Sequence, residues 1–212
     1  MPYSYLEIAV AIYIAYLIGS LSSAIIVCKL GGLPDPRTRG SHNPGATNVL
    51  RIAGKKAAAI TLLGDLLKGG SASSIAKWLG FNSLALSLIA LSVVLGHLFP
   101  IFFRFEGGKG VATALGALLS LCWPAGLCWL GTWLFMAILF RFSSLASLVA
   151  SLLAPLYLWL FTHDLFYVYA FCAIAVLLII RHHRNIANLL HGNESKIGKK
   201  QKASDAMLKV TS

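Results

Sequence analysis

Four long stretches of this sequence carry almost no charge, and their lengths constrain the fold more than any other feature. They cover residues 8–28, 78–103, 110–140 and 142–180. Asp164 is the only aspartate, glutamate, lysine or arginine in them. About 20 apolar residues are enough to cross a bilayer as a helix. Charged residues make up 12% of the chain, about half of the roughly 25% that is typical of soluble domains. The sequence therefore predicts an all-α integral membrane protein.

Two of these stretches are too long for one span. Residues 110–140 would form a helix of about 46 Å, against a hydrocarbon core of about 30 Å, and Trp123-Pro124 offers a break near the middle. In 142–180 the break falls at His163-Asp164. This interpretation gives about seven transmembrane helices, at about 5–28, 56–79, 82–104, 111–122, 124–140, 142–162 and 165–181. The first is a retained span, because no basic segment precedes it as in a signal peptide.

The positions of lysine and arginine test the number of spans, because cytoplasmic loops are enriched in both. Seven spans put nearly all cationic loops and the basic C-terminus on one side, and leave only Lys77 at the edge of the other. Six spans would place the basic tail outside. We therefore predict a periplasmic N-terminus, a cytoplasmic C-terminus and a basic, disordered cytoplasmic tail at 196–212. Segment 111–122 is short and suits a half-span or a kinked helix.

Composition also bears on the class of protein. The formal net charge of +11 is compatible with nucleic-acid binding, but the cations flank predicted spans and no soluble domain is available to hold a strand, so no nucleic-acid partner is expected. The four cysteines lie in or beside apolar runs without a CxxC pair, which indicates neither disulfides nor a metal site. The sequence also lacks a Walker A loop, a GxSxG motif and an acidic pair for two metals.

Three polar, cation-bearing segments interrupt the apolar sequence. The first, 40–51, reads GSHNPGATNVLR. Together with the five residues before it, the segment is rich in glycine, proline, asparagine and serine, which predicts a structured loop over 35–51 that leads toward the second span. Side-chain donors are available at Ser41, Asn43, Thr47 and Asn48, and Arg51 would lie near the start of the next helix, pointing back at the loop. An ordinary basic loop explains the segment about equally well.

The second polar segment, 96–113, ends in EGGKGVAT. Gly107, Gly108 and Gly110 surround Lys109, and a helix start follows before Thr113. Free backbone N–H groups together with a point charge favour an anion, which indicates a phosphate site. A tight cytoplasmic turn with one lysine is the alternative, although two adjacent glycines and a third suit backbone approach better than a turn requires.

The third polar segment, 181–195, begins RHHRN where the last span should emerge. His182 and Asn185 are three residues apart and share a helical face. A histidine here can act as a base or hold a substrate oxygen, whereas an Arg/His cluster facing lipid headgroups is the simpler explanation of this segment alone. Glu194, near its end, is a secondary site position.

Two further polar features lie within the spans. Asp65 and Lys68 are three apart in GDLLKGG, and ionisable residues at such depth normally face the bundle interior and pair with each other. A structural ion pair is therefore predicted, with a substrate contact as the alternative. His97 is predicted to be a buried hydrogen-bonding group rather than a catalyst.

Taken together, the three segments resemble the signature segments of the bacterial membrane acyl-phosphate:glycerol-3-phosphate acyltransferases, the PlsY family. Their order and spacing, the total length and the GDLLKG stretch also match, so the resemblance covers essentially the whole chain. It implies a single transmembrane acyltransferase domain at 1–195 that transfers a fatty acyl group from acyl-phosphate to the 1-hydroxyl of sn-glycerol 3-phosphate. The implied products are lysophosphatidate and phosphate, in the first step of phospholipid biosynthesis.

The resemblance also implies roles for individual residues. Those expected to be catalytic are Ser41, Arg51, Lys109, His182 and Asn185. Those expected to bind substrate or phosphate are Asn43, Thr47, Asn48, Gly107, Gly108, Gly110 and Thr113. The usual first motif reads GSGN, and His42 here replaces its second glycine. A positive φ at this position would strain His42, although histidine tolerates that conformation better than bulkier residues.

The implied partners are acyl-phosphate, glycerol 3-phosphate, membrane lipid and an upstream enzyme that produces acyl-phosphate. No cofactor, no metal and no direct use of acyl-CoA or acyl carrier protein are expected. The implied location is the bacterial inner membrane, with the active site on the cytoplasmic face. A transporter of a phosphorylated solute would share the basic loops but should show inverted repeats or broken helices in both halves, and a lipid-binding scaffold would not need GGKG.

Overall fold

The computed structural model describes residues 3–198, and every regular element in that range is helical. The α-helices are α1 Tyr5–Gly19, α2 Ser23–Leu30, α3 Ala46–Ala53, α4 Lys55–Trp78, α5 Ser83–Leu98, α6 Val111–Leu121, α7 Trp123–Phe140, α8 Ser143–Thr162, α9 Leu165–Arg181 and α10 His183–Leu190. A short 3-10 helix, Ile101–Phe103, follows α5. The all-α prediction is confirmed for this part of the chain. The predicted tail lies outside the described residues from position 199 onward.

Polar residues begin several of the helices. Ser4 and Glu7 form a capping box at the start of α1, and the Asn82 side chain accepts the N–H of Ala85 at the start of α5. Asp164 accepts the N–H groups of Phe166 and Tyr167 at the start of α9. Such caps satisfy N–H groups that have no partner within the helix. The acid that interrupts the fourth apolar run is therefore a helix cap.

Only some of these helices are long and apolar enough to cross a bilayer unaided. Within the described residues these are 83–103, α7 and α8. The number rises to five if each of two bent pairs is one span: α1 with α2, bent by 42°, and α9 with α10, bent by 61°. At 11 residues α6 is shorter, as expected for a half-span. The count of seven spans and the orientation of the termini stay predictions.

Two details of the predicted elements were wrong. The first predicted span, 5–28, is two helices, because the chain breaks at 20–22, where the Ser20 hydroxyl donates to the Tyr16 carbonyl at 2.9 Å. The loop predicted over 35–51 contains α3, because the turn-forming residues end at Gly45 and the following residues bury Asn48 and Val49 on one face. Arg51 accordingly lies in the last turn of α3 and not at the start of α4.

Helix α5 occupies the centre of the bundle. Two-thirds (67%) of its span is buried, against 22% for α7 and 33% for α8, and Ile89, Val93, Val94 and Leu98 are almost fully buried. It packs on α1, α4, α6 and α9. The C-terminal end of α5, where the second polar segment begins, is therefore surrounded by other helices, which matters for the site described below.

Helices α4 and α6 are in backbone contact. A Cβ added at Gly69 would collide with the Thr113 carbonyl, and one added at Gly116 would collide with the Leu66 carbonyl. Small residues at such points let membrane helices approach closely and pack by van der Waals contact. The pairing of α4 and α6 sets the position of Lys109, which immediately precedes Gly110 and α6.

We expect Gly116→Val to lower the free energy of unfolding by about 1–3 kcal/mol, the usual cost of overpacking. The valine side chain cannot fit against the Leu66 carbonyl without separating α4 from α6. Gly131→Ala is the matched control, because no atom lies within 4 Å of a Cβ placed there on α7. Thermal unfolding of the purified protein in one detergent measures both, and a Gly116→Val variant as stable as Gly131→Ala would contradict the close-packing argument.

Candidate active site

One cavity of about 350 Å³ brings together residues from all three polar segments. The polar residues that the three segments contribute to its lining include Ser41, Asn43, Thr47, Asn48, Arg51, Lys109, Gly110, His182, Asn185 and Glu194. The rest is mostly apolar, from α4, α6 and α7: Leu62, Leu66, Leu115, Leu119, Trp129, Leu130 and Trp133. A cavity that combines cations and polar groups with a large apolar surface suits a ligand with an anionic head and a hydrocarbon chain.

Asn48 holds the first segment in shape. Its Oδ1 accepts the Ser41 N–H at 2.8 Å, and its Nδ2 donates to the carbonyls of Pro36 at 2.8 Å and Arg39 at 3.0 Å. The residue is 1% exposed. Asn48 is predicted to bind substrate; in the structure its amide is committed to these three backbone partners, which support the loop and orient the Ser41 N–H.

His42, which replaces the second glycine of the usual GSGN motif, adopts a left-handed backbone conformation with φ of 57°. Its Nδ1 donates to the Arg37 carbonyl at 3.0 Å, which gives the side chain a local partner. Arg37 in turn pairs with Asp35 at 2.7 Å and with Glu106 at 3.1 Å. Hydrogen bonding to this guanidinium lowers the pKa of the Asp35 carboxyl. The first and second segments are thus joined at the surface.

Gly107 and Gly108 do not present free N–H groups as a simple anion nest would. Both are buried, and their carbonyls accept from the Arg181 guanidinium at 2.5 and 3.1 Å. The Gly108 N–H donates to the His97 carbonyl at 3.2 Å. A Cβ on Gly107 would collide with the carbonyls of His97 and Leu98. These two glycines therefore allow the turn to lie directly against the end of α5.

The residues that follow Lys109 in this segment line the cavity. Gly110, with φ of 85°, is the N-cap residue of α6, and Val111 and Ala112 line the cavity wall. The first N–H groups of a helix lack partners within it and favour an anion. Thr113, which we expected to bind substrate, is fully buried and is absent from the cavity lining.

A chain of hydrogen bonds joins the second segment, the third segment and α8. Lys109 Nζ donates to Asn185 Oδ1 at 2.5 Å, and Asn185 Nδ2 donates to Glu194 Oε1 at 2.7 Å. The same Glu194 oxygen accepts from the Ser144 hydroxyl at 2.6 Å. Because Asn185 must present its oxygen to the lysine and its nitrogen to the glutamate, the chain fixes the orientation of the amide. Glu194 therefore supports Lys109 through Asn185.

The electrostatics of the cavity favour an anion. Burial lowers the pKa of Lys109, and with the opposing effect of Glu194 and the smaller lowering effects of Arg51 and Arg181 the pKa is about 8. Arg51 lines the cavity, and its side chain makes no hydrogen bond or ion pair with any residue in the described range. Two cations thus share a partly buried cavity in which the carboxylate of Glu194 is already hydrogen-bonded, and an anionic ligand would relieve their repulsion.

His182 sits in the bend between α9 and α10 and is 2% exposed. Its Nδ1 lies 2.7 Å from the Leu178 carbonyl, which can only accept, so Nδ1 carries the proton. In the neutral ring the lone pair is then on Nε2. His182 shares the cavity with Lys109 and Ser41 and can accept a hydrogen bond from a ligand there.

The predicted ion pair within α4 is present. Lys68 Nζ lies 3.0 Å from Asp65 Oδ1, and both side chains are buried. His97 Nδ1 approaches the same oxygen at 3.5 Å. Asp65 and His97 also line the cavity, so these residues lie beside the site and not in a separate part of the bundle.

The sequence interpretation missed the contribution of α8 and α7. Ser143, Ser144 and Ser147 line the cavity; Ser147 accepts from Trp133 Nε1 at 3.1 Å, and Ser143 lies 3.4 Å from the Thr47 hydroxyl. The one available signal was the Ser143-Ser144 pair shortly after Arg141, which placed hydroxyls beside a basic loop. Nothing in the composition of α7 marked Trp133 as part of a site.

Comparison with known proteins yields a consistent result. A family model described as glycerol-3-phosphate acyltransferase matches residues 9–192. A glycerol-3-phosphate acyltransferase of Ralstonia pickettii (strain 12J) is 55% identical over 194 residues, covering 90% of this chain and 94% of its own length. One from Dechloromonas aromatica (strain RCB) is 52% identical over 198 residues, covering 93% of this chain and 100% of its own length.

Two solved structures share the fold. One is the glycerol 3-phosphate form of PlsY (YgiH), an integral membrane glycerol 3-phosphate acyltransferase, with a TM-score of 0.86 and 39% identity. The other is the lysophosphatidic acid form of PlsY (YgiH), with a TM-score of 0.84 and 37% identity. Each comparison covers 91% of this chain and 96% of the other. The described helices are therefore arranged as in an integral membrane protein of this kind.

The backbone conformation at His42 generates a stability prediction. We expect His42→Gly to change the free energy of unfolding by less than about 1 kcal/mol, because relief of the left-handed conformation offsets the entropy of glycine and the lost hydrogen bond. His42→Val, which is β-branched, should lose more than about 1 kcal/mol. Equilibrium unfolding in detergent measures both variants. Equal stability of the glycine and valine variants would show that the backbone at this position does not carry the strain.

Proposed function

The chain belongs to the PlsY family of glycerol-3-phosphate acyltransferases, and we propose that it transfers a fatty acyl group from acyl-phosphate to the 1-hydroxyl of sn-glycerol 3-phosphate. The products are 1-acyl-glycerol 3-phosphate (lysophosphatidate) and inorganic phosphate, in the first step of phospholipid biosynthesis. The observation that carries the proposal is the single cavity that joins Arg51 and Lys109 to a wall of leucine and tryptophan side chains. Both substrates carry phosphate, and one also carries a long apolar chain.

The donor is proposed from the chemistry of the cavity. In acyl-phosphate the acyl carbon is already activated, and phosphate leaves as the bond between the carbonyl carbon and its bridging oxygen breaks. The electron pair of that bond goes to the phosphate, whose charge Arg51 and Lys109 stabilise. The attacking 1-hydroxyl forms the new ester bond directly, so the reaction needs no covalent intermediate on the protein. This agrees with the lack of a nucleophile elbow in the sequence.

The residues divide into three kinds of role. Arg51 and Lys109 bind the phosphates, with the N–H groups at the start of α6 adding donors around Gly110. Asn185 holds Lys109 in place, supported by Glu194. Ser41, Asn43 and Thr47 contribute polar contacts to the glycerol phosphate from the first segment.

The attacking hydroxyl must also lose its proton. We assign that proton to a phosphate oxygen of the bound substrate, with His182 orienting the hydroxyl through Nε2. His182 as the direct base is the alternative, and the Nδ1 contact with Leu178 leaves Nε2 available for either role. In both cases the proton ends on a product phosphate or is released to water after transfer.

The proposal also includes the membrane arrangement. Residues 1–195 form one acyltransferase domain of the bacterial inner membrane with seven spans, a periplasmic N-terminus and a cytoplasmic C-terminus. The site faces the cytoplasm, where glycerol 3-phosphate is soluble, and the acyl chain enters sideways from the lipid between helices. An upstream enzyme that produces acyl-phosphate supplies the donor.

The deciding assay uses purified protein in detergent or lipid with acyl-phosphate and glycerol 3-phosphate. We expect release of phosphate and formation of lysophosphatidate that requires both substrates. Separate reactions with acyl-CoA or acyl carrier protein as donor test the donor class, and activity only with one of these would overturn the acyl-phosphate assignment. No lysophosphatidate with any donor, together with uptake of glycerol 3-phosphate into proteoliposomes, would overturn the enzyme assignment in favour of transport.

We expect Lys109→Ala and Arg51→Ala each to lower kcat/KM by about 10²-fold or more, as when a charge stabilising the transition state is removed. Lys77→Ala is the matched control, because this lysine donates to the carbonyls of Ser120 and Leu121 at the other end of α4. The control should keep wild-type activity. An equal loss in all three variants at equal expression would contradict a specific role for the cavity cations.

The pH dependence should report Lys109. With its pKa lowered to about 8, the lysine is charged below that pH and loses its charge above it. We therefore expect kcat/KM for glycerol 3-phosphate to fall as the pH rises through about 8. Lys109→Arg keeps the charge far above that range, so its residual activity should lack this alkaline limb. The same limb near pH 8 in Lys109→Arg would assign it to another group.

A further inference from the structure

A buried cluster of ionisable side chains, Asp65, Lys68 and His97, has no role in the mechanism proposed above. The three are 3%, 7% and 6% exposed. Lys68 Nζ is 3.0 Å from Asp65 Oδ1, and His97 Nδ1 is 3.5 Å from the same oxygen. Neither contact has hydrogen-bond geometry, so Asp65 Oδ1 and His97 Nδ1 are without a hydrogen-bond partner among the described residues. Well-packed apolar residues often stabilise a protein as well as a buried ion pair does, so stability alone does not account for the cluster.

One side of the cluster is anchored to the break in the first span. Lys68 Nζ donates to the Leu21 carbonyl at 2.8 Å. Leu21 lies in the segment 20–22 between α1 and α2, where backbone groups lose their helical partners. The lysine therefore satisfies a backbone oxygen and neutralises Asp65, which leaves the carboxylate facing His97.

The other side of the cluster supports the turn that carries Lys109. The His97 carbonyl accepts the Gly108 N–H at 3.2 Å. A Cβ on Gly108 would collide with His97 Nε2 and come within 2.9 Å of the Pro44 carbonyl. The imidazole ring is thus in close contact with Gly108, which is held between α5 and the first polar segment. Lys109 is the next residue.

We propose that His97, oriented by the carboxylate of Asp65, is a positioning residue that places the Gly107–Lys109 turn so that Lys109 meets the phosphate of glycerol 3-phosphate. This proposal rests on the function assigned above and extends it to residues that act through the glycine turn. The Asp65 carboxylate lies 3.5 Å from His97 Nδ1, the ring packs against Gly108, and the turn sets the origin of the Lys109 side chain. A displacement of about 1 Å at a binding group is enough to cost up to about 10²-fold in rate.

A positioning role differs measurably from a structural one. If His97 acts through the turn, its loss should weaken binding of glycerol 3-phosphate and leave the apolar wall, which binds the acyl chain, unaffected. If the cluster only stabilises the bundle, its loss should lower thermal stability and leave KM unchanged in the protein that remains folded. A change confined to kcat would instead indicate that His97 takes part in the chemistry.

The main test uses the double variant Asp65→Leu with Lys68→Met, which replaces the ion pair with apolar residues of similar size and leaves no buried charge unpaired. We expect its melting temperature to fall because the Leu21 carbonyl loses its donor, its KM for glycerol 3-phosphate to rise about tenfold, and its KM for acyl-phosphate, whose acyl chain is also held by the apolar wall, to rise less. An unchanged KM for glycerol 3-phosphate in this variant would overturn the proposal.

Two single variants at His97 test the two sides of its ring separately: the Nδ1 side near Asp65 and the Nε2 side near Gly108. His97→Gln extends an amide toward Gly108, whereas His97→Asn keeps an amide near Asp65 and vacates the space beside Gly108. We expect the KM for glycerol 3-phosphate to rise about tenfold in the asparagine variant and less in the glutamine variant, because contact with the turn is what matters. The reverse order, or a fall in kcat alone, would overturn the proposal.

Ser92→Ala is the matched control on the same helix. Its hydroxyl donates to the Ile12 carbonyl at 2.8 Å, so the variant should lower the melting temperature without raising the KM for glycerol 3-phosphate. Binding of glycerol 3-phosphate alone, followed by calorimetry, makes the test independent of the acyl donor. If wild type binds glycerol 3-phosphate but transfers no acyl group, the proposed function fails, and the change in Kd between variants still decides the role of His97.

Discussion

The structure depends on the rule that polar backbone and charged groups within a bilayer need partners inside the protein. Where the helices break, those partners are visible: Lys68 reaches the Leu21 carbonyl between α1 and α2, and Arg181 reaches the carbonyls of Gly107 and Gly108. The bend between α9 and α10 is occupied by His182, whose ring is hydrogen-bonded to Leu178. Of these breaks, the bend at His182 also forms part of the cavity wall.

Lys109 is held in the cavity by a neutral side chain and not by a direct counter-charge. Asn185 accepts from Lys109 and donates to Glu194, so the lysine is oriented while its charge stays available to a ligand. Arg51 has no ion-pair partner in the described range, which leaves the cavity electropositive. Asn48 likewise holds the first segment in shape through hydrogen bonds to three backbone groups. Amides thus hold the site together where additional acids would neutralise it.

Much of the fold and the outline of the site could be predicted from the chain. The uncharged runs predicted the helices of the membrane region, and the three polar segments contained most of the residues that line the polar part of the cavity. Two predicted elements were wrong because of local backbone structure. Ser20 and its neighbours interrupt the first span, and α3 forms directly after Gly45. Apolar periodicity cannot reveal either, because both depend on where backbone groups find partners.

The sequence alone determined that this is a helical membrane protein with three chemically distinct polar segments, because hydropathy and local turn chemistry depend on neighbouring residues. Only the tertiary structure decided which atoms meet. It joins Lys109 to Asn185 across 76 positions, commits Asn48 and Gly108 to backbone partners, buries Thr113 away from the cavity, and brings His97 against the glycine turn. The physical reason is that a polar atom's role is set by the partner it finds in space, and those partners lie on helices far apart along the chain.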